Sequence, residues 1–143
     1  MEPIELVVEG KPYSKARPRF FHKGSFVGTY KPAKEAEAES RFSELARVGL
    51  LEQGVAEPLE ADVALRVVCE FEFEMPHSWS ATKKFAHSGR PHLGKPDVDN
   101  LLKFAMDALN GVAWKDDKQV SLVAASKRWS EHSQTRVVIA SDL

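Results

Sequence analysis

The stretch Ala61-Asp-Val-Ala-Leu-Arg-Val-Val-Cys-Glu-Phe-Glu-Phe-Glu74 carries the plainest structural signal in the chain. Apolar side chains occupy every second position from Val63 to Phe73, and three glutamates fill the alternate positions at its end. Because successive side chains of a strand point to opposite faces, this alternation predicts a strand over residues 61–74 with one buried face. The three glutamates could be metal ligands, but the solvated outer face of a sheet is the favoured interpretation.

Further strands and helices are predicted on both sides of this strand. The segments with strand or hairpin patterns are residues 4–9, 20–27, 120–129 and 135–140. The segments with helical spacing and capping signals are residues 32–53, 79–87 and 97–110. We therefore expect an α+β fold, a two-layer sandwich in which a mixed sheet of about five strands carries two main helices. Those two helices are the long segment 32–53, which stops near Gly54, and the segment 97–110.

Length and composition indicate one globular domain. The 143 residues suffice for a single core, and an apolar content of 43% is typical of soluble globular proteins. Charges interrupt every apolar run, so no membrane-spanning segment is predicted, and the start lacks the pattern of a secretory signal. The single cysteine, Cys69, lies in the predicted strand and indicates a buried, inert thiol in a cytosolic protein. No glycine-rich phosphate loop is present, so we expect no nucleotide cofactor.

The net charge of −1 hides an uneven distribution of charged residues. Residues 10–34 and 75–96 carry several lysines and arginines but no aspartate or glutamate, whereas residues 35–74 are strongly acidic. A polyanion responds to the local field rather than to the sum of charges, so the two acid-free segments favour phosphate binding. The alternative is a pair of solvated loops that happen to be basic.

Four aspartates lie in two short segments, Lys95-Pro-Asp-Val-Asp-Asn-Leu-Leu-Lys103 and Trp114-Lys-Asp-Asp-Lys118. Carboxylates repel one another, and a hard cation such as Mg²⁺ or Mn²⁺ relieves that repulsion while leaving coordination positions for water and phosphate. The pattern therefore predicts a metal-dependent site that cleaves phosphodiesters. Ordinary structure is the alternative: the first pair can cap a helix, Asp99 and Lys103 can form an i,i+4 ion pair, and the second pair can belong to a turn. From these residues alone, both interpretations stay open.

These two segments and the run between them, Met106-Asp-Ala-Leu-Asn-Gly111, together resemble the signature of RusA-type Holliday junction resolvases. That signature is D-x-D-N-x-x-K, a D-A-L on the same helix, and a D-D-x-Q-[VI] that leads into a strand. The basic run Gly10-Lys-Pro-Tyr-Ser-Lys-Ala-Arg-Pro-Arg-Phe20 and the segment Pro76-His-Ser-Trp-Ser80 are also similar to phage and prophage members. The likeness extends over residues 4–139.

The resemblance implies a homodimeric endonuclease that cuts four-way DNA junctions with Mg²⁺, for which Mn²⁺ can substitute. Carried over by motif, its catalytic residues are Asp97, Asp99, Asp117 and Lys103. The three aspartates would hold the metal, with Asp116 as a less certain fourth ligand and Asn100 supporting a carboxylate from outside the ligand set. The ammonium group of Lys103 would balance charge on the phosphate or orient the attacking water.

Basic residues of the two acid-free segments are the predicted DNA contacts. They are Lys15, Arg17, Arg19, Lys83, Lys84, Arg90 and Lys95. The first three alternate in an extended loop, so their side chains point the same way and can follow a phosphate backbone. The residues on segment 79–90 would replace an arginine run that some family members carry before the first aspartate.

We therefore expect one RusA-like endonuclease domain over residues 1–143, acting as a homodimer in the cytoplasm of a bacterium or a phage-infected cell. Its expected role in DNA recombination and repair is the resolution of Holliday junctions by paired nicks in opposed strands. The alternatives are a nuclease that acts mainly on flaps or other branched DNA, and a junction-binding protein that does not cut. Cleavage of junctions, flaps and plain duplex distinguishes the three.

Overall fold

The computed structural model describes residues 1–16 and 19–143, with the backbone alone at Arg19. The elements in these ranges are β1 (Ile4–Glu9), β2 (Arg19–Lys23), β3 (Phe26–Tyr30), α1 (Ala33–Glu52), β4 (Leu65–Glu74), α2 (Ala81–His87), α3 (Val98–Leu109), a 3-10 helix (Asp117–Gln119), β5 (Val120–Ser130) and β6 (Gln134–Ser141). The strands and helices predicted from the sequence are all present, and the α+β class is confirmed.

The main sheet is mixed and has four strands in the order β1-β6-β4-β5. Strand β6 runs antiparallel to both of its neighbours, while β4 and β5 are parallel. The polar turn between β5 and β6 therefore passes over the end of β4, where the Met75 backbone N–H donates to the Ser130 carbonyl and the Glu74 N–H to the Ser133 hydroxyl. The expected sheet of about five strands is corrected here: in the described residues β2 and β3 pair only with each other, as a separate hairpin.

The core lies between the main sheet and the two long helices. The apolar positions of β4, from Leu65 to Phe73, are buried as predicted, and the residues between them are half-buried or exposed. Helix α1 packs on β1 and on α3, burying Phe42, Ala46 and Leu50, and α3 contacts β5. Burial of the Cys69 thiol on this face raises its pKa to about 12, which fits the predicted inert cysteine.

Two element boundaries differ from prediction, each because of a side-chain hydrogen bond. Strand β4 begins at Leu65 instead of residue 61, because the Gln119 side-chain amide donates to the carbonyls of Glu60 and Val63 and holds a turn there. Helix α2 begins after Ser80, whose hydroxyl accepts from the Lys83 backbone N–H. The Gln119 hydrogen bonds join segments that are far apart in the sequence, which no local pattern connects, whereas the Ser80 cap is a local contact.

The outer face of the sheet carries the alternate residues of each strand. Glu72 of β4 pairs there with Arg136, 3.0 Å away, and accepts a hydrogen bond from Gln134 of β6. This glutamate therefore belongs to a cross-strand network on the outer face, as favoured from the sequence, and its own side chain is 13% exposed. Exposed apolar side chains of Val68 and Leu122 share the same face. Among the described residues, no helix combines the length and apolar character needed to cross a membrane.

Candidate active site

The first two predicted catalytic aspartates stand at the amino-terminal end of α3. Asp97 is the N-cap residue, yet its carboxylate accepts no capping hydrogen bond, and Asp99 lies in the first turn. Both residues are exposed. The positive end of the helix dipole favours negative charge at this position. Capping therefore does not account for the Asp97 carboxylate, which leaves it available to a cation.

The backbone before Asp97 is held by a lysine that the sequence analysis missed. Lys127 of β5 donates from Nζ to the carbonyl oxygen of Pro96, 2.8 Å away, and to that of Gly94. Its register places it beside buried Phe71, on the core-facing side of the strand. The sequence does contain a signal for this contact: Lys127 occupies a position of the predicted strand where the alternating pattern calls for an apolar residue.

Lys103 lies one turn beyond Asp99 on α3. Its Nζ is 4.0 Å from the Asp99 Oδ2, and the two side chains are 63% and 67% exposed. An ion pair so open to water contributes little to stability, because solvent screens both charges. The predicted i,i+4 pair is therefore present, and it leaves the ammonium group accessible to a phosphate.

The second pair of acids belongs to the segment that leads into β5. Asp117 Oδ1 accepts a 2.7 Å hydrogen bond from the indole Nε1–H of Trp114, a fully buried residue. Asp116 is the N-cap of the 3-10 helix, where it accepts from the Lys118 N–H and forms a capping box with Gln119. Asp116 thus has a structural role, as the cap of the 3-10 helix, which accounts for an aspartate at this position. One oxygen of Asp117 also has a structural role, as the acceptor for the Trp114 indole.

Within one chain, the pair Asp97 and Asp99 lies at the start of α3, and the pair Asp116 and Asp117 lies near its other end. The twelve-residue helix starts after Asp97 and spans about 18 Å. Asp117 contacts Trp114, and the backbone of Trp114 pairs with that of Asn110 at the carboxyl-terminal end of α3. Oxygens bound to one Mg²⁺ lie at most roughly 4 Å apart. In the described part of the chain no three acidic, histidine or cysteine side chains could share one ion. Asp97 and Asp99 suit a cation whose ligands are two carboxylates, water molecules and a phosphate oxygen. Asp117 of the same chain is too far away to be a further ligand of that cation.

The basic loop before β2 is fastened to α3. Lys15 forms an ion pair through Nζ with Asp107, and its backbone N–H donates to the Asn100 carbonyl at 3.1 Å. The hydrogen bond to Asp107 raises the pKa of Lys15, against the opposing effect of burial. The next residue, Ala16, donates its N–H to the buried carboxylate of Glu35 at 2.7 Å. Lys15 therefore shares its charge with Asp107, and Asn100 contributes its backbone to this anchor.

The remaining predicted DNA contacts lie on the segment between β4 and α3. Lys83 and Lys84 are on α2, with Lys83 Nζ 4.4 Å from the centre of the Trp79 ring. The backbone around Arg90 runs along the edge of β5, where the Arg90 carbonyl accepts from Trp129 N–H. Lys95 is exposed two residues before Asp97. Arg17 and the side chain of Arg19 lie outside the described residues, so these two assignments stay predictions.

Comparison with known proteins agrees with the sequence motif. The sequence profile of the family described as Endodeoxyribonuclease RusA matches residues 9–140. The chain is also 32% identical over 143 residues to the uncharacterized protein YqaN of Bacillus subtilis (strain 168), an alignment that covers 97% of this chain and 96% of the relative. The matched range contains the basic loop, both acidic pairs and strands β2 to β5. The chain belongs to the RusA endodeoxyribonuclease family.

Proposed function

We propose that this chain is a Mg²⁺-dependent, structure-selective endodeoxyribonuclease that resolves Holliday junctions by paired nicks in opposed strands, in DNA recombination and repair. The observation that supports it best is the exposed pair Asp97 and Asp99, free of capping bonds at the start of α3, with the ammonium group of Lys103 one turn away. Carboxylates and an ammonium group at one helix terminus fit a cation and a phosphate together.

The proposed chemistry divides between the metal and the protein side chains. Bound Mg²⁺, or Mn²⁺ in its place, would polarise the scissile phosphate and lower the pKa of the attacking water. Asp97 and Asp99 would hold the ion, and Lys103 would neutralise the charge that develops on the phosphate oxygens. Lys95, together with the basic residues of the α2 segment, would position the flanking phosphates.

We further propose a homodimer in which Asp117 of a second copy completes each metal site. The support is the separation of the acidic pairs within one chain, since about 18 Å of helix lies between them. A two-fold dimer reuses the same contact twice, so the same arrangement creates two sites at once. Two sites related by symmetry suit the paired cuts that a four-way junction requires.

Two other functions are consistent with the same family. A nuclease of flaps or other branched DNA would use the same residues, and only the choice of substrate differs. A junction-binding protein that does not cut is less well supported, because acids that face phosphate without a cation weaken binding to DNA. The exposed, uncapped Asp97 is the observation that disfavours a pure binder.

Cleavage of three matched, labelled substrates tests the proposal. A four-way junction, a flap and a linear duplex of the same sequence are incubated with the protein and Mg²⁺, and the nicks are mapped on denaturing gels. We expect symmetric nicks in the junction and little cutting of the duplex. Faster cutting of the flap would assign the chain to the first alternative. Tight junction binding without any cut in Mg²⁺ or Mn²⁺ would refute the enzymatic function.

A further inference from the structure

A continuous row of aromatic rings lies beside the start of α3. Neighbouring ring centroids are 4.8 Å apart for Phe73 and His92, 4.1 Å for His92 and Trp129, 5.0 Å for Trp129 and Trp79, and 4.8 Å for Trp79 and His87. We call these five residues the aromatic row. It joins β4, β5 and the segment between β4 and α3, so part of its role is to hold that segment on the sheet.

A pocket of about 390 Å³ opens on one end of the aromatic row. Its lining consists of Phe73, His92, Trp129, Lys11, Lys95, Glu74, Ser133, Pro76 and Pro96. Phe73, His92 and Trp129 thus line the pocket beside two lysines and the carboxylate of Glu74. Trp129 is the most open of the three rings, since Phe73 and His92 are only 5% and 8% exposed. The volume falls in the range of pockets that bind small organic groups.

His92 offers this pocket a hydrogen-bond donor. The Gly94 backbone N–H donates to His92 Nδ1 at 3.2 Å, so the proton of the neutral ring is on Nε2. Burial, followed by the charge of Lys127, lowers the pKa of His92 and keeps the ring neutral. The described residues provide no acceptor for Nε2, which is therefore open to solvent rather than buried without a partner. A solvent-accessible donor in a pocket wall can bond to a ligand that carries an acceptor.

The glycine at position 94 permits this arrangement. A Cβ atom added to Gly94 would lie 3.2 Å from His92 Cε1, closer than ordinary van der Waals contact. A larger residue would displace the imidazole ring or the backbone that leads to Asp97. The same backbone is held by Lys127, which donates to the Gly94 and Pro96 carbonyls. The pocket wall at His92 therefore leads directly to the start of α3.

We propose that this pocket receives one unpaired nucleobase of the branched DNA, beside the phosphate that is cut; the inference rests on the proposed nuclease function. Every base presents a π face that stacks on aromatic rings, and a base also carries acceptors for the His92 Nε2–H. Lys11 and Lys95, which also line the pocket, fit the phosphates on either side of that base. Lys95 and Pro96 directly precede Asp97, which places the base next to the site of cleavage. Bases in plain duplex stay stacked, so the pocket selects for branched DNA.

The test is a double-mutant cycle between the protein and the DNA. Junctions that lack one base, at each position around the branch point, are titrated with wild type and with His92→Leu in EDTA, which prevents cleavage. We expect that loss of one particular base weakens wild-type binding at least about five-fold, the effect of losing one base stack. For His92→Leu the same loss should cost less than about two-fold. His92→Phe keeps the stacking ring without the donor, and should retain part of the effect.

The control is His22→Leu, at an exposed histidine of the hairpin strand β2. It should behave as wild type across the whole set of junctions. If His92→Leu folds and every missing base costs it as much as wild type, the proposal is wrong. A change from dimer to monomer in His92→Leu, with no base-dependent effect, would assign the pocket to a side chain of a second copy and also overturn it.

A short single strand with and without its central base separates this proposal from the proposed function. If wild type prefers the strand with the base and His92→Leu does not, the pocket binds bases even in a protein that proves unable to cut junctions. If neither protein distinguishes the two strands or any junction of the set, the pocket does not bind a base, whatever cleavage is observed.

Discussion

Mixing two inactive variants is expected to restore junction cleavage. Asp99→Asn and Asp117→Asn each remove one carboxylate of the proposed metal site, so each should be inactive alone. About 15 Å of α3 lies between Asp99 and the end of the helix near Asp117, while two oxygens on one Mg²⁺ lie at most roughly 4 Å apart. A mixed dimer would therefore contain one site with both carboxylates intact and one site with neither.

The expected magnitude follows from the symmetry of the dimer. When equal amounts of the two variants exchange subunits freely, half of the dimers are mixed and each has one complete site, so about a quarter of the wild-type sites return. The assay measures single nicks in a labelled four-way junction with Mg²⁺, before and after subunit exchange. Because a mixed dimer has one complete site, the nicks should be unpaired, and resolution into two duplexes should lag behind nicking.

Asparagine at position 117 is the matched choice for this experiment. Its side-chain oxygen can still accept the hydrogen bond from Trp114 Nε1, so the fold around the buried indole is preserved. Thermal unfolding should confirm that both variants are folded. Full activity of Asp117→Asn alone would show that this aspartate is structural. A mixture that forms mixed dimers yet stays inactive would refute the shared site.

Three smaller predictions test other parts of the structure. Cys69, whose pKa burial raises to about 12, should not react with a thiol reagent at pH 8 until the protein unfolds, because only about one thiol in 10⁴ is ionised there; rapid labelling of native protein would contradict its burial. Asp107→Asn should lower the free energy of unfolding by less than about 1 kcal/mol in urea titrations at pH 7, since both partners are partly exposed. Because the pKa of Lys15 is raised in the folded state, the contribution of this ion pair to stability is fully present below the unfolded-state pKa of 10.5 and is lost as the pH rises through the folded-state pKa. The unfolding free energies of wild type and variant should therefore converge at that high pH. Replacing Lys83 and Lys84 by alanine should reduce the salt dependence of junction binding by one to two phosphate contacts, that is, change the log–log slope by about one to two; an unchanged slope would remove α2 from the DNA surface.

The fold was largely predictable because its main signals are local. The period-2 pattern of β4 and the helical spacing of α3 each follow from neighbouring residues, and the burial of alternate β4 residues agrees with them. The number of strands in the sheet was not predictable in the same way. Whether the β2–β3 hairpin joins β1, β6, β4 and β5 depends on pairing between distant segments, which no local pattern records.

The candidate site shows the same division between local and distant information. The motif predicted the aspartates, and α3 places Asp99 beside Lys103 as the i,i+4 spacing predicts. Contacts made across the fold were missed: Lys127 donates to the Pro96 carbonyl, and Asp107 forms an ion pair with Lys15. The separation of the two acidic pairs is also invisible in the sequence, where they lie fewer than twenty residues apart.

Cleavage of a labelled four-way junction by wild type and by Asp99→Asn, each with Mg²⁺ and beside a matched linear duplex, tests the central proposal most directly. Asp99 is exposed and pairs only weakly with Lys103, so the variant should fold and bind the junction as wild type does. We expect symmetric nicks in the junction from wild type, and none from Asp99→Asn despite its intact binding. Equal cleavage by the two proteins would contradict the proposed role of the α3 aspartates, and junction binding by wild type without cleavage would contradict the nuclease itself.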